Sequence, residues 1–406
     1  MRAEARQWLE SNWSPDLALI EWRRLLVDSG WAVPSWPERW YGKGLPSWTD
    51  DVVKAELAAV GAVGTPVGSG MTLAAPTILA HGPDEIRERF LLKILTGEET
   101  WCQLFSEPGA GSDLAALTSR ADRDGDEWIV NGQKLWNTSA HHADLGMLVA
   151  RTDWDVPKHK GVTYFVLPMR QPGVEVRPLR QMNYYSSFNE VFMSNARIPA
   201  AFVVGEVGDG WRAALTTLAF ERRFGVMGRP KLGRASGRAV DEARREANDY
   251  FETYKWYPQR AGRVDLVIER ARAAGVNSDP VIRQEIARLL EIHRASGWTA
   301  RRAAAARALG RTPGPEGSIG KLATSATARQ AAKVHSLIAG ATAMLTNGDG
   351  PLNGLIAEIL LSVPAQSIAG GTDEIQKNIL GEKALGLPRE PQTEQDRPFR
   401  EVLRGG

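Results

Sequence analysis

The chain has 406 residues, 43% hydrophobic and 24% charged, enough for two or three structural units with a sizeable core and an ordinary make-up for a globular protein. A formal net charge of +2 creates no field that would argue for nucleic acid or an acidic membrane surface as partner. The lone cysteine, Cys102, excludes internal disulfides and a thiolate zinc site.

The opening "MRAEARQWLESNW" lacks the apolar core of a signal peptide, and no uninterrupted run of about 18 apolar residues is evident; both predict a cytoplasmic protein without membrane insertion. Residues 1–98 read as helices separated by Pro/Gly loops such as "VPSWPERWYGKGLP". From Trp101 the texture changes. The runs "DEWIVNGQKLW", "LGMLVART", "GVTYFVLPM", "GVEVRPL" and "FNEVFMSNARI" are rich in β-branched and aromatic residues and predict strands. Asn131-Gly132 predicts a hairpin turn. After "GEVGDGW" the periodicity turns helical, with helices expected over 211–228, 235–254, 280–308, 318–345, 351–362 and 372–384. The charged, Pro-rich tail reads as an extended arm. The fold class is therefore α+β, as a helical domain (1–98), a central β-domain (99–206), a helical domain (207–388) and a tail (389–406).

Among the motifs, "CQLFSEPGAGSDLA" (102–115) is the most informative. Its Gly-x-Gly followed by Ser and Asp exposes backbone amides and a hydroxyl, which suits a pyrophosphate. Gly-x-Gly alone is usually only a turn; the spacing is not that of a nucleotide-binding βαβ unit, and no parallel sheet is predicted around it. One pattern is a decoy. "SIGK" (318–321) matches a Ser-x-x-Lys nucleophile without a partner motif, and Ser318 is better explained as a helix N-cap. The six histidines show no metal-ligand spacing. In "SIAGGTDEIQKNIL" (367–380), Gly370 and Gly371 permit close approach of the backbone. Thr372 then caps a helix whose first amides suit a carbonyl or an anion.

In order along nearly the whole chain, these segments resemble the acyl-CoA dehydrogenase family of flavoproteins. "PSWPERWYGKGL" is similar to its N-terminal helical domain. "QLFSEPGAGSDLA", "WIVNGQKLWNTSAHHADLGMLVART" and "GVTYFVLPM" are similar to its β-domain. "GVEVRPLRQMNYYSSFNEVFMSNARIP", "GDGW" and "GGTDEIQKNILGEKALGLPRE" complete the series. The wording is closest to an actinobacterial branch associated with steroid side-chain and other bulky acyl thioesters. The resemblance implies a central β-barrel-like domain, a C-terminal four-helix bundle and FAD as cofactor. It places Gln103, Leu104, Ser106, Gly111 and Ser112 along the flavin, with Ser112 near pyrophosphate and thioester, and Trp136 and Thr138 over the isoalloxazine. Thr372 and Glu374 match flavin contacts beyond the loop, Glu374 standing where many relatives have glutamine. Arg272 and Gln284 are the nearest candidates for a flavin contact from a neighbouring subunit, in a segment without the family's phenylalanine and with altered spacing.

The same resemblance exposes a departure. Many relatives carry their catalytic glutamate directly before the Gly-Thr of this loop, where this chain has Gly370. Glycine cannot take a proton, so the base comes from elsewhere or the chain is inactive. Isovaleryl and long-chain types place the base on the helix after the β-domain, and the matching residue here is Glu221. Its helical neighbours Thr217, Leu218, Phe224 and Gly225 include no cation, and Ala214 and Gly228 extend the same small, apolar face. Burial in such a stripe raises a carboxyl toward the range of a general base. Arg222 matches a substrate-side position. The implied reaction is α,β-dehydrogenation of an acyl-CoA thioester: Glu221 takes the α-proton, flavin N5 the hydride, and the Gly370 amide supports the thioester carbonyl. Electron-transfer flavoprotein would reoxidise the flavin, and a homo-oligomer or a heterotetramer with a paralogous subunit would complete the assembly. An acyl-CoA oxidase using oxygen and a non-catalytic partner subunit are the alternative readings.

Overall fold

The computed structural model describes residues 1–221, 236–309, 314–391, 394 and 396–402. It forms two compact units: Met1–Leu179, Ser186–Thr253 and Gln392–Gly406 make the first, Arg180–Tyr185 and Tyr254–Pro391 the second.

Five helices open the first unit: α1 (Arg2–Asn12), α2 (Leu19–Asp28), α3 (Thr49–Val60), α4 (Ala75–His81) and α5 (Asp84–Thr96). Their boundaries follow local chemistry. In α5, Asp84 and Glu85 occupy the first turn after Pro83, and the chain leaves through Gly97 in the left-handed region (φ 85°). Leu19, Trp22 and Leu26 of α2 recur at helical spacing and meet Ala5 and Leu9 of α1 and Val53 and Leu57 of α3 in one core.

Seven strands follow: β1 (Trp101–Leu104), β2 (Arg120–Asp124), β3 (Glu127–Lys134), β4 (Leu145–Arg151), β5 (Val162–Pro168), β6 (Val174–Leu179) and β7 (Phe188–Pro199). They pair in the order β1-β4-β2-β3-β7-β6, with β5 also on β4. Every predicted strand forms, and two expectations are corrected. The hairpin turn is Gly125-Asp126, between paired Asp124 and Glu127, whereas Asn131-Gly132 lies inside β3 where the register against β7 slips between Val130 and Gly132. Gly132 is required there for approach: at φ 154°, a Cβ would stand 2.3 Å from Ser119 Oγ. Nor is the sheet purely antiparallel, because β1 runs parallel to β4 from Trp101↔Leu145 to Leu104↔Leu148.

Alternation divides the buried strands between two cores. Leu145, Met147 and Val149 of β4 and Val162, Tyr164 and Val166 of β5 face a core shared with α4 and α5. Leu148, Ala150, Phe165 and Leu167 face the opposite way, against Val130 of β3 and Val191 and Met193 of β7.

Helix α6 (Gly210–Glu221) places Ala213 and Ala214 in the first of these cores, and Gly210 admits close contact because a Cβ would lie 2.4 Å from the Thr163–Tyr164 backbone. Helix α7 (Arg238–Glu252) also belongs to this unit. The sequence reading divides the chain after residue 206, but the compact units part after Thr253. Val240 and Ala243 pack with Trp22, and Arg23 pairs with Glu246 at 2.6 Å. The tail is not extended throughout: Phe399–Glu401 forms a 3-10 turn. Phe399 is buried, its guanidinium partner Arg151 stands 3.7 Å from its ring centroid, and its N–H donates to Val156 O at 3.0 Å.

The second unit contains α8 (Tyr257–Arg260), α9 (Val267–Ala273), α10 (Pro280–Ala308), α11 (Glu316–Ala339), α12 (Leu355–Ser362), α13 (Pro364–Ile368) and α14 (Asp373–Lys383). Val267 and Ala271 of α9, Ile282 and Leu289 of α10, and Ala331, Val334 and Ile338 of α11 make its main core. Inside it, His335 Nδ1 faces Arg270 at 2.7 Å and Nε2 lies 3.2 Å from Gly262 O and Arg263 O. Burial first, then the Arg270 charge, lowers its pKa to about 4. Helix α11 ends at Gly340 (φ 57°), short of the expected 345. Leu355–Lys383 has the length and mean hydropathy (1.3) of a membrane span, but the chain there is divided into α12, α13 and α14 by turns at Val363 and at residues 369–372.

Candidate active site

Glu221 and Gln103 are brought together by the layer of helices on β1. Trp101 and Phe105 face that layer while Cys102 and Leu104 face the opposite core, so period two turns Gln103 toward α6. Its side-chain Nε2 donates to Glu221 Oε2 at 3.4 Å. One turn before Glu221, buried Thr217 ties α6 down. Its hydroxyl lies 2.8 Å from Thr77 Oγ1 of α4 and 3.1 Å from Tyr164 OH of β5, and burial raises the Tyr164 phenol. Glu221 is half-buried, with Leu218 and Phe220 packed on the core beneath it. Arg222, Phe224, Gly225 and Gly228 lie outside the described residues.

The Gly-x-Gly segment leaves β1 through a tight turn, in which Glu107 and Ala110 exchange backbone hydrogen bonds of 3.0 and 3.1 Å. Gly109 and Gly111 face open space, with nothing within 4 Å of a Cβ at either, and Ser112 is exposed. Under the turn lies a buried ion pair: Lys134 Nζ reaches Glu107 Oε1 at 2.8 Å and Phe105 O at 3.0 Å. Glu107 also accepts from Thr118 N (2.6 Å), Thr118 Oγ1 (3.0 Å) and Ser119 N (2.9 Å). Burial alone would raise its carboxyl, but the Lys134 ammonium and these donors hold it down to about 2. Burial lowers the Lys134 pKa against the opposing pull of Glu107. Half-buried Ser106 accepts from Leu135 N at 2.8 Å, and Leu104 is fully buried.

After β3, the segment 135–139 is pinned between β1 and β7. Asn137 and Asn189 exchange backbone bonds of 3.0 and 3.1 Å, Asn137 Nδ2 donates to Gln103 O at 2.8 Å, and Asn189 Nδ2 donates to Asn137 O at 2.8 Å. The clamp forces Trp136 into the left-handed region (φ 63°), which is costly for a bulky residue. Its indole stands 53% exposed, edge-on to Phe188 at 5.6 Å. Thr138 is half-buried beside it. Sequence reasoning missed Asn137, Asn189 and the Lys134–Glu107 pair. Their signal was present: polar residues standing among the apolar positions of "VNGQKLWN" and "SFNEVF".

In the second unit, Gly370 and Gly371 have φ of 68° and 83°. Thr372 caps α14 as expected, its hydroxyl accepting from Ile375 N at 3.3 Å. Gln376, fully buried, donates to Gly370 O at 3.1 Å. Asp373 anchors the helix start through Lys321 (2.8 Å) and Arg329 (2.5 Å); burial would raise its pKa, but these cations pull it well below the carboxylate range. Glu374 is exposed on α14, Arg272 on α9 and Gln284 on α10.

Residues 1–98, 102–196 and 261–385 match the N-terminal, middle and C-terminal domains of acyl-CoA dehydrogenase, and a relative 33% identical spans 96% of this chain. The chain belongs to the acyl-CoA dehydrogenase family, a class of oxidoreductases. That relative is acyl-CoA dehydrogenase IpdE1 of Mycobacterium tuberculosis, of which the match covers 97%. Acyl-CoA dehydrogenase FadE34 of the same organism is 37% identical over 90% of this chain, which spans 46% of it. Among solved structures, the Tcur3481-Tcur3483 steroid ACAD aligns with a TM-score of 0.67 at 25% identity, over 96% of this chain and 97% of that one. The ChsE4-ChsE5 complex of M. tuberculosis aligns with a TM-score of 0.66 at 26% identity, over 96% and 97%.

Proposed function

We propose that the chain dehydrogenates an acyl-CoA thioester at the α,β bond to the trans-2-enoyl product, with FAD as cofactor and Glu221 as base. The first unit's residues fit a flavin: two glycines with open faces, a strained and exposed indole, and a buried acceptor, Asn137 Oδ1, without a partner. Gln103, Leu104, Ser106, Gly111, Ser112, Trp136 and Thr138 would hold it in the first unit; Thr372 and Glu374 of the second unit match flavin contacts of the family. Bound FAD supplies the hydride acceptor at N5. Glu221 takes the α-proton at its carboxylate, and the Trp136 face excludes water. The Gly370 amide donates to the thioester carbonyl, a contact of the oxyanion-hole kind worth about 3 kcal/mol in the transition state.

The observation that carries the reading is the half-buried carboxylate of Glu221, held by Gln103 on the strand that leads into the glycine turn. The aligned Tcur3481-Tcur3483 steroid ACAD supports a bulky, steroid-derived acyl group, and the two-component make-up of that structure and of ChsE4-ChsE5 supports a paralogous partner subunit, for which the exposed Arg272 and Gln284 are the candidate contacts. Electron-transfer flavoprotein would be the oxidant, and the cytoplasm the location. The test is Glu221→Gln. Purified with its flavin band intact, it should lose at least ~100-fold in the rate at which acyl-CoA thioesters, including a steroid side-chain thioester, bleach the flavin. Near-normal bleaching would show that another residue is the base.

A further inference from the structure

We propose that Gln103 is a positioning residue of the base. Through its side-chain amide, β1 orients Glu221 and favours the charged carboxylate. This rests on Glu221 being the base, and it gives Gln103 a role apart from lining the flavin.

Both ends of the contact are anchored. The Gln103 main chain is fixed by the parallel register Gln103↔Met147, and its carbonyl accepts from Asn137 Nδ2 at 2.8 Å. Glu221 is carried by a helix that Thr217 bonds to α4 and β5 one turn earlier. The 3.4 Å contact from Gln103 Nε2 to Glu221 Oε2 thus joins two rigid elements, the arrangement that keeps a reacting group within a narrow angular range. The strand's alternation orients the contact: residues 102 and 104 face the other core, so Gln103, like Trp101, turns toward the layer that contains α6, and its side chain is the polar one of the two.

The chemistry of an amide suits the task. A neutral N–H donor to a carboxylate favours the ionised form, keeping the base ready to accept a proton, and it does so without a full charge that would make the base too weak. Among the described residues, two titratable groups on the elements against α6 are engaged a turn earlier. His81 of α4 bonds to Thr216 at 2.7 Å and Tyr164 of β5 to Thr217. On α6 itself Arg212 pairs with Asp209.

The test uses Gln103→Met, which removes the donor at similar length, and Gln103→Glu, which is isosteric and puts a second carboxyl beside the first. In the flavin-loaded protein, the infrared band of a protonated carboxyl that is absent in Glu221→Gln reports Glu221 directly, without turnover. Its midpoint should rise by about one pH unit in Gln103→Met, the size expected for one hydrogen bond to a charged group. In Gln103→Glu it should rise further, because like charges oppose each other's ionisation. The acidic limb of the bleaching rate should shift with it. Midpoints within about 0.3 units of wild type in both variants, whatever happens to flavin affinity, would overturn the proposal and leave Gln103 as flavin wall only. Active Glu221→Gln enzyme with shifted midpoints would instead sink the assignment of the base and leave the Gln103 coupling standing.

Discussion

Replacing Lys134 with methionine removes a buried ammonium at nearly constant length, and the structure sets the size of the effect. Lys134 is fully buried and bonds to Glu107 Oε1 and Phe105 O. Taking one partner from a buried ion pair costs about 3–5 kcal/mol, because the other charge is left in a low-dielectric setting. Glu107 would keep its three donors from Thr118 and Ser119, which places the expected loss near the lower end, at about 3 kcal/mol. The variant has one escape: Glu107 can take a proton. Without Lys134 its pKa climbs from about 2 under the burial that already opposes ionisation, so the deficit should shrink from pH 7 to pH 5. Adding Glu107→Gln should recover part of the loss at pH 7, since a neutral amide is less costly to bury unpaired than a carboxylate. Urea unfolding of wild type, single and double variants at both pH values measures all of this, and flavin absorbance after gel filtration reports the turn above the pair. A Lys134→Met cost below about 1 kcal/mol, or a double variant less stable than the single, would refute the reasoning.

The buried, neutral His335 has a folded pKa near 4 against about 6.5 unfolded. It therefore contributes stability above about 6.5 that is lost progressively as pH falls toward 4, about 1 kcal/mol between pH 7 and 5.5; melting curves should show this slope in wild type and lose it in His335→Gln. Gly371→Ala adds both a left-handed strain of about 1 kcal/mol and a Cβ 2.5 Å from Gln376 Nε2. Gly386→Ala, at φ 68° with open space around it, should show the strain alone, so the difference between the two in urea midpoint measures the collision. Phe399→Ala should cost about 3 kcal/mol and free the tail for proteolysis ahead of the rest of the chain, read as early cleavage near residue 399 in a limited digest.

The strands β3 to β7 and the long helices were legible because β3 and β7 alternate, β4 and β5 are unbroken runs rich in β-branched and aromatic residues, and the helices repeat about every 3.6 residues. Strand β1 was not. It has four residues and runs straight into the glycine turn, so its side chains read as a loop motif, and with it went the parallel pairing to β4. The Asn131-Gly132 signal failed for a different reason. Gly132 serves a close contact with Ser119 across the sheet, and a contact at that sequence distance leaves no local mark. The loop after α13 was readable at its glycines, whose positive φ values are what two adjacent glycines before an N-cap suggest, but not at Gln376, which grips the loop from inside α14.

The site divides along the same physical line. Residues whose chemistry is local, such as Thr372 as a cap, could be named from spacing alone. Residues whose role depends on what another element brings could not. Glu221 was named from the family resemblance and supported by the apolar character of its own helical face, yet the half-buried carboxylate is held from a strand 118 positions earlier in the chain. The same holds for Lys134, Asn137 and Asn189, polar residues in apolar runs that look like interruptions until the sheet is assembled. A polar residue in a predicted buried run costs several kcal/mol unless it is partnered, so each such interruption marks a long-range bond that the local pattern cannot specify. In this chain those bonds converge on β1 and the turn that follows it: Lys134 holds the turn from below, Asn137 holds the Gln103 carbonyl, and Gln103 in turn reaches Glu221. β1, one of the two strands that sequence pattern did not resolve, is the one on which the three depend.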